Sequence, residues 1–72
     1  MKTAIYPGTF DPITLGHIDV IKKSLNIFDR VVIATTDSIN KNYYFSIEER
    51  LSIIKNSLFK DLKLNKNRIK VV

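Results

Sequence analysis

Cysteine and tryptophan are absent from this 72-residue chain, and histidine occurs once. Without cysteine there is neither a disulfide framework nor a thiolate metal site, so the staples of small secreted domains are missing. One histidine cannot build a multi-histidine zinc centre. Long apolar runs are lacking as well. Nothing approaches the ~20 residues of a membrane span, and the opening MKTAIYPGTFDP breaks at Pro7-Gly8 before a signal-peptide core develops. There is no repeat, low-complexity tract or linker. What is present is 44% hydrophobic and 26% charged, an ordinary globular composition. A chain of this length makes one small domain at most and hides only about 60% of its unfolded surface. The expectation is a cytoplasmic, soluble, unstapled chain with no membrane contact.

The net charge of +5 raises the question of an anionic partner. Beyond Lys2 the lysines are scattered, at Lys22, Lys23, Lys41, Lys55, Lys60, Lys63, Lys66 and Lys70, with no run longer than two. They do not interleave with aromatics, as a single-stranded nucleic-acid platform requires, so no nucleic-acid partner is expected. Most of them read as solvated surface, and the same positive field suits a small phosphate-bearing ligand.

Periodicity divides the chain. Residues 4–6 (Ala-Ile-Tyr) form a short apolar run stopped by Pro7-Gly8 and read as a buried strand. From Thr14, a plausible N-cap, the pattern turns helical: Ile18, Ile21, Leu25 and Phe28 recur at steps of three and four. Asp29-Arg30 exits into residues 31–35 (VVIAT), a β-branched run with the look of a strand buried on both faces. After a polar loop at 37–44, Ser46 and Glu49 have the spacing of a capping box. The helix they open carries Ile47, Leu51, Ile54 and Leu58 on one face, and residues 68–72 start a third strand. The order predicts an α/β, Rossmann-like β-α-β-α-β half-domain with a three-stranded parallel sheet. Two right-handed crossovers in one direction put both helices on the same face. The neighbourhoods of Val31 and Ile33 and of Ile69 and Val71 are then expected to be partly bare, as in the first half of something larger.

The chemistry gathers in the turn from the first strand to the first helix, where open α/β sheets place ligands. Gly8 allows a tight turn or a close approach to a ligand, Thr9 sets a hydroxyl at the strand end, and Pro12 stiffens the loop. Gly16 and His17 fall in the first helical turn, whose amides and positive dipole end favour an anion.

This segment, GTFDPITLGH, resembles the nucleotidylyltransferase signature G-[TS]-F-D-P-x-[HT]-x-G-H. Threonine at Thr14, with Tyr-Pro before the glycine, is similar to the phosphopantetheine adenylyltransferase branch. Ser38-Ile39-Asn40-Lys41 and Phe45-Ser46-Ile47-Glu48-Glu49-Arg50 resemble that branch's S-x-x-K and F-[ST]-x-E-E-R, with Ile39 where proline is common and Asn42 where a second lysine often sits. Members of the family are about twice this long, and their later arginine loop and I-S-S-[ST]-x-x-R motif have no counterpart here. The resemblance therefore makes residues 1–72 the N-terminal part of a single nucleotidylyltransferase domain, with the C-terminal half absent.

The resemblance implies transfer of AMP from ATP to 4′-phosphopantetheine, giving dephospho-coenzyme A and pyrophosphate, with Mg2+ accompanying ATP and no dedicated protein metal site. It assigns His17 and Lys41 to catalysis, Thr9, Phe10 and His17 to ATP, and Thr9 and Lys41 to the acceptor phosphate. It also implies a homo-oligomer, a hexamer.

Plainer readings stand beside these. His17 could be a capping residue, Thr9 a turn hydroxyl, and Lys41 a solvated lysine. Asp11 is expected to bond amides of its own loop, and the aromatics Tyr43, Tyr44 and Phe45 to anchor their loop to the sheet rather than stack on a base. Asp37, Glu48, Glu49 and Arg50 read as surface, cap and ion-pair residues. Three alternatives to the adenylyltransferase remain: an inactive truncated phosphate-binding fragment, another nucleotidylyltransferase of the nicotinate mononucleotide or cytidylyl type, and an interaction module using the bare sheet face.

Overall fold

The computed structural model describes residues 1–37 and 42–72. Strand β1 (Thr3–Gly8) leads to helix α1 (Leu15–Leu25), strand β2 (Arg30–Thr35), helix α2 (Ile47–Lys55) with a π-helical continuation over Asn56–Asp61, and strand β3 (Ile69–Val71). The strands form one parallel sheet in the order β1-β2-β3, with Ile5 opposite Val32 and Val32 opposite Lys70. The Rossmann-like β-α-β-α-β arrangement read from the sequence is the fold observed.

β1 runs through Pro7 and Gly8 instead of stopping before them. It is an edge strand, and the Gly8 carbonyl accepts from the Thr36 amide on the β2 side. Successive residues face opposite ways, so Pro7, which has no N–H to give, faces the outer edge and removes no ladder bond.

Alternation sorts the side chains into two faces. Val31, Ile33 and Ile69 are buried, with Tyr6 and Val71 packed beside them; Ile21 from α1, Ile54 from α2 and Leu58 from its π-helical continuation join the same cluster. Both helices therefore cover one face, as expected. The other face carries Ile5, 69% exposed, with Val32 and Lys70 in register beside it. This corrects the expected location of the bare surface. The Val31–Ile33 and Ile69–Val71 positions that point inward are the core, and the open side belongs to the residues between them. The accessible surface of 5073 Å² exceeds by roughly a tenth what a compact monomer of this mass shows.

The elements end for local reasons. α1 stops at Leu25, short of Phe28, and Arg68 closes it: Nη2 donates to the Leu25 carbonyl at 2.6 Å and the Phe28 carbonyl at 3.0 Å, and Nε to that of Asp29 at 3.0 Å. Arg68 thus satisfies carbonyls left without partners at a helix C-terminus. α2 opens with the capping box read from the sequence, Ser46 Oγ accepting from the Glu49 amide and Glu49 Oε1 from the Ser46 amide. Beyond Lys55 it widens into π turns, with Leu62 N–H donating to the Ser57 carbonyl, which keeps Leu58 in the core.

Candidate active site

The turn after β1 is built around a phenylalanine. Phe10 is 1% exposed, has a backbone φ of 47°, and packs edge-on against Tyr6 and His17 at centroid distances of 5.2 and 4.9 Å. Its ring lies under Gly8, where an added Cβ would sit 3.1 Å from two ring carbons. Neither glycine has a positive φ, so at Gly8 the requirement is space, and the close neighbour is Phe10. The Phe10 side chain belongs to the core, which leaves its backbone as what it can present to a ligand. The turn continues through a cis Asp11-Pro12 peptide and the buried Ile13 to Thr14.

Thr14 caps α1, and its partner in the box is His17 in place of the usual glutamate or glutamine. Thr14 Oγ1 accepts from the His17 amide at 3.3 Å, while the Thr14 backbone N–H donates to His17 Nδ1 at 2.9 Å. An amide can only donate, so Nδ1 is the acceptor and the proton of the neutral imidazole sits on Nε2. The half-buried ring, held by this bond and by the Phe10 edge, thus presents an N–H donor at the helix N-terminus. The spacing T-x-x-H was the signal in the sequence for this arrangement: Thr14 was read as the N-cap and His17 as a capping residue in its plainer reading, but not as each other's partners.

Two residues were misread. Asp11 does not bond its own loop: Oδ2 accepts from the Tyr44 amide at 2.6 Å and Oδ1 from the Phe45 amide at 2.9 Å, joining the first turn to the segment that opens α2. Arg50, read among the surface, cap and ion-pair residues, does pair with Asp37 but is buried, 1% exposed. Its Nη1 donates to the Thr9 and Thr36 carbonyls at 3.1 and 3.3 Å, its Nε to the Phe45 carbonyl at 3.2 Å, and its Nη2 pairs with Asp37. The guanidinium also lies 4.3 Å from the centroid of the Tyr43 ring. Tyr43 thus anchors its loop through Arg50, whereas Tyr44 is 89% exposed. Of the candidate residues, Thr9, Phe10 and His17 come together at the carboxyl end of β1. Lys41 falls within residues 38–41, outside the described residues.

Residues 5–70 match the model of the cytidylyltransferase-like family. The chain belongs to that family. Among its curated relatives is the phosphopantetheine adenylyltransferase of Pelagibacter ubique, 59% identical over 71 residues that make up 99% of this chain and 43% of that protein. Those of Helicobacter hepaticus, 56% identical over 56 residues (76% of this chain and 34% of the relative), and of Francisella tularensis subsp. novicida, 51% identical over 71 residues (99% and 41%), are also similar. The chain spans less than half the length of these relatives. Among solved structures, a bifunctional NMN adenylyltransferase/ADP ribose pyrophosphatase from Francisella tularensis, complexed with AMP and a Mn ion, superposes on all of this chain with a TM-score of 0.85. At 22% identity and 22% coverage of that protein, the likeness is one of fold.

In this cytidylyltransferase-like chain the electrostatics of the turn favour an anion. The first turn of α1 carries no acidic residue, whereas that of α2 carries Glu48 and Glu49. The dipole end and the leading amides of α1 therefore face no competing carboxylate in their own first turn. A hollow of about 350 Å³, lined by Thr3, Arg30, Arg68 and Lys70 among others, opens at the opposite end of the strands, and its Arg68 is committed to α1 carbonyls. Among the described residues no group of three or more His, Asp or Glu side chains could hold a metal ion, and Asp11 is spent on two amides. No dedicated cage for magnesium is formed among the described residues. Nor is any helix among them long and apolar enough to cross a membrane.

Proposed function

We propose that the chain forms the phosphate-handling turn of a phosphopantetheine adenylyltransferase. The observation that carries this reading is 59% identity, across nearly the whole chain, to a protein of that name. The geometry of the turn is consistent with it. The acceptor is a phosphate monoester whose second pKa lies near ~6, so at neutral pH it is largely a dianion and needs no general base. An oxygen of that phosphate forms a bond to the α-phosphorus of ATP as the bond to the β-phosphate oxygen breaks, and pyrophosphate leaves with the electron pair. The protein's part is to align the two phosphates and meet the charge that develops between them.

In this reading His17 donates from Nε2 to an α-phosphate oxygen, and the Thr14 amide keeps the proton on that nitrogen. The Thr9 hydroxyl and the amide end of α1 hold phosphate oxygens. Lys41 bridges the acceptor phosphate and the α-phosphate, and magnesium enters on ATP as part of the substrate.

The test is pyrophosphate release dependent on both ATP and 4′-phosphopantetheine, from a polypeptide that carries this segment, together with its His17→Ala variant. A donor used only in the transition state is worth about 10²–10³ in rate, so kcat should fall by that factor while KM changes little. Turnover that ignores phosphopantetheine refutes the substrate reading, and an unchanged kcat removes His17 from the mechanism.

A further inference from the structure

Arg50 occupies a place on α2 where an aliphatic side chain is expected. It stands three residues after Ile47 and four before the fully buried Ile54, on the stripe that packs against the sheet. Burying a guanidinium there is costly unless every donor is used, and a branched aliphatic fills the space without that cost. The donors are used in a particular way: three of the accepting oxygens are backbone carbonyls from three separate segments, those of Thr9 after β1, Thr36 after β2 and Phe45 before α2. All three segments gather at the carboxyl end of the sheet.

A trans peptide holds its C=O and N–H on opposite sides. When Arg50 draws the Thr9 carbonyl inward, the N–H of Phe10, in the same peptide plane, faces away from the guanidinium. The Thr36 carbonyl fixes the N–H of Asp37 in the same manner. The Phe10 ring is already locked in the core, so this peptide has no other freedom to set its direction.

We infer that Arg50 is a positioning residue: by binding the Thr9 and Thr36 carbonyls it aims the Phe10 and Asp37 amides outward as donors for a polyphosphate, and holds the exit of β2 against the phosphate turn. The inference rests on the adenylyl-transfer reading for its kinetic consequence and on geometry alone for its binding consequence. Lysine keeps the charge and three donors, but they radiate from one nitrogen, so it does not span acceptors that Arg50 reaches from Nε, Nη1 and Nη2.

In a polypeptide carrying this segment, Arg50→Lys should lower kcat by about 10²-fold, the effect of a misplacement near 1 Å, with KM for ATP within about threefold. Separately, amide NMR with inorganic triphosphate as the probe should show a shift at Phe10 in the parent and its loss in Arg50→Lys. A lower melting temperature with kcat and the Phe10 response both unchanged would show Arg50 to be structural only and overturn the proposal. If the parent shows no adenylyl transfer yet Arg50→Lys abolishes the Phe10 shift, the functional reading falls and the role of Arg50 stands. Should Arg50→Lys melt below the assay temperature, Arg50→Gln, which keeps a planar donor without the buried charge, is read by the same outcomes.

Discussion

Replacing Gly8 by alanine puts one methyl group against the ring of Phe10. The new Cβ meets two ring carbons at 3.1 Å and a third at 3.5 Å, so the ring must give by a few tenths of an ångström. It has little room to do so. Phe10 is 1% exposed, and Tyr6 and His17 meet it edge-on at 5.2 and 4.9 Å. Overpacking of this kind costs about 1–3 kcal/mol. Against it stands the lower entropy of an unfolded chain with alanine for glycine, worth about 0.4–1 kcal/mol where φ is compatible, as the absence of a positive φ at Gly8 makes it here. The packing term wins, and a net loss of about 1–2 kcal/mol is expected. Urea unfolding of a folded polypeptide carrying the segment should show a lower midpoint at unchanged m. Trimming the neighbour with Phe10→Leu should make the double variant less destabilised than the sum of the two single ones, because the sites touch. A Gly8→Ala protein as stable as its parent, or additivity in the cycle, would refute the account of why this residue is glycine.

Asp11→Ala removes the acceptor for the Tyr44 and Phe45 amides and is expected to cost about 1–3 kcal/mol by chemical denaturation, with Asp11→Asn, which keeps one oxygen, costing less. An unchanged midpoint in Asp11→Ala would show that these bonds are replaced by water without loss. Lys41→Ala should raise KM for phosphopantetheine or lower its turnover, while Lys55→Ala and Lys63→Ala leave both within about twofold. Equal losses at all three would mean that diffuse attraction, rather than a site, draws in the phosphate.

Both glycines, both prolines and the one histidine lie between residues 7 and 17, and that local concentration is why the turn was legible. Strand runs, the stripe on α1 and the Ser46–Glu49 box depend on neighbours within about four positions, which a linear reading captures. The partners of Asp11 and the backbone partners of Arg50 were missed because they lie far along the chain, 33 to 34 residues away for Asp11 and 41 for the Thr9 carbonyl. An aspartate before proline and an arginine in a charged first turn have ordinary local explanations; only the place of Arg50 on the stripe between Ile47 and Ile54 stands against its own. The bare sheet face was foreseen around Val31–Ile33 and Ile69–Val71 without saying which residues form it, because the apolar runs at 31–35 and 69–72 hide which parity points inward. Burial supplies that parity: Val31, Ile33 and Ile69 lie inside while Ile5 stays 69% exposed.

The reach of Arg50 has a consequence for the order in which the molecule can be made. Synthesis proceeds from the N-terminus at about 5–20 residues per second, so the whole GTFDPITLGH segment is made before α2. Its helix cap can form at once, since Thr14 and His17 are three residues apart. The direction of the Thr9–Phe10 peptide cannot be set until Arg50 has been added and α2 has docked, which closes a loop of some forty residues. A nascent chain thus caps its imidazole before the Thr9–Phe10 peptide is fixed, and that peptide takes its direction in one step when the second helix settles.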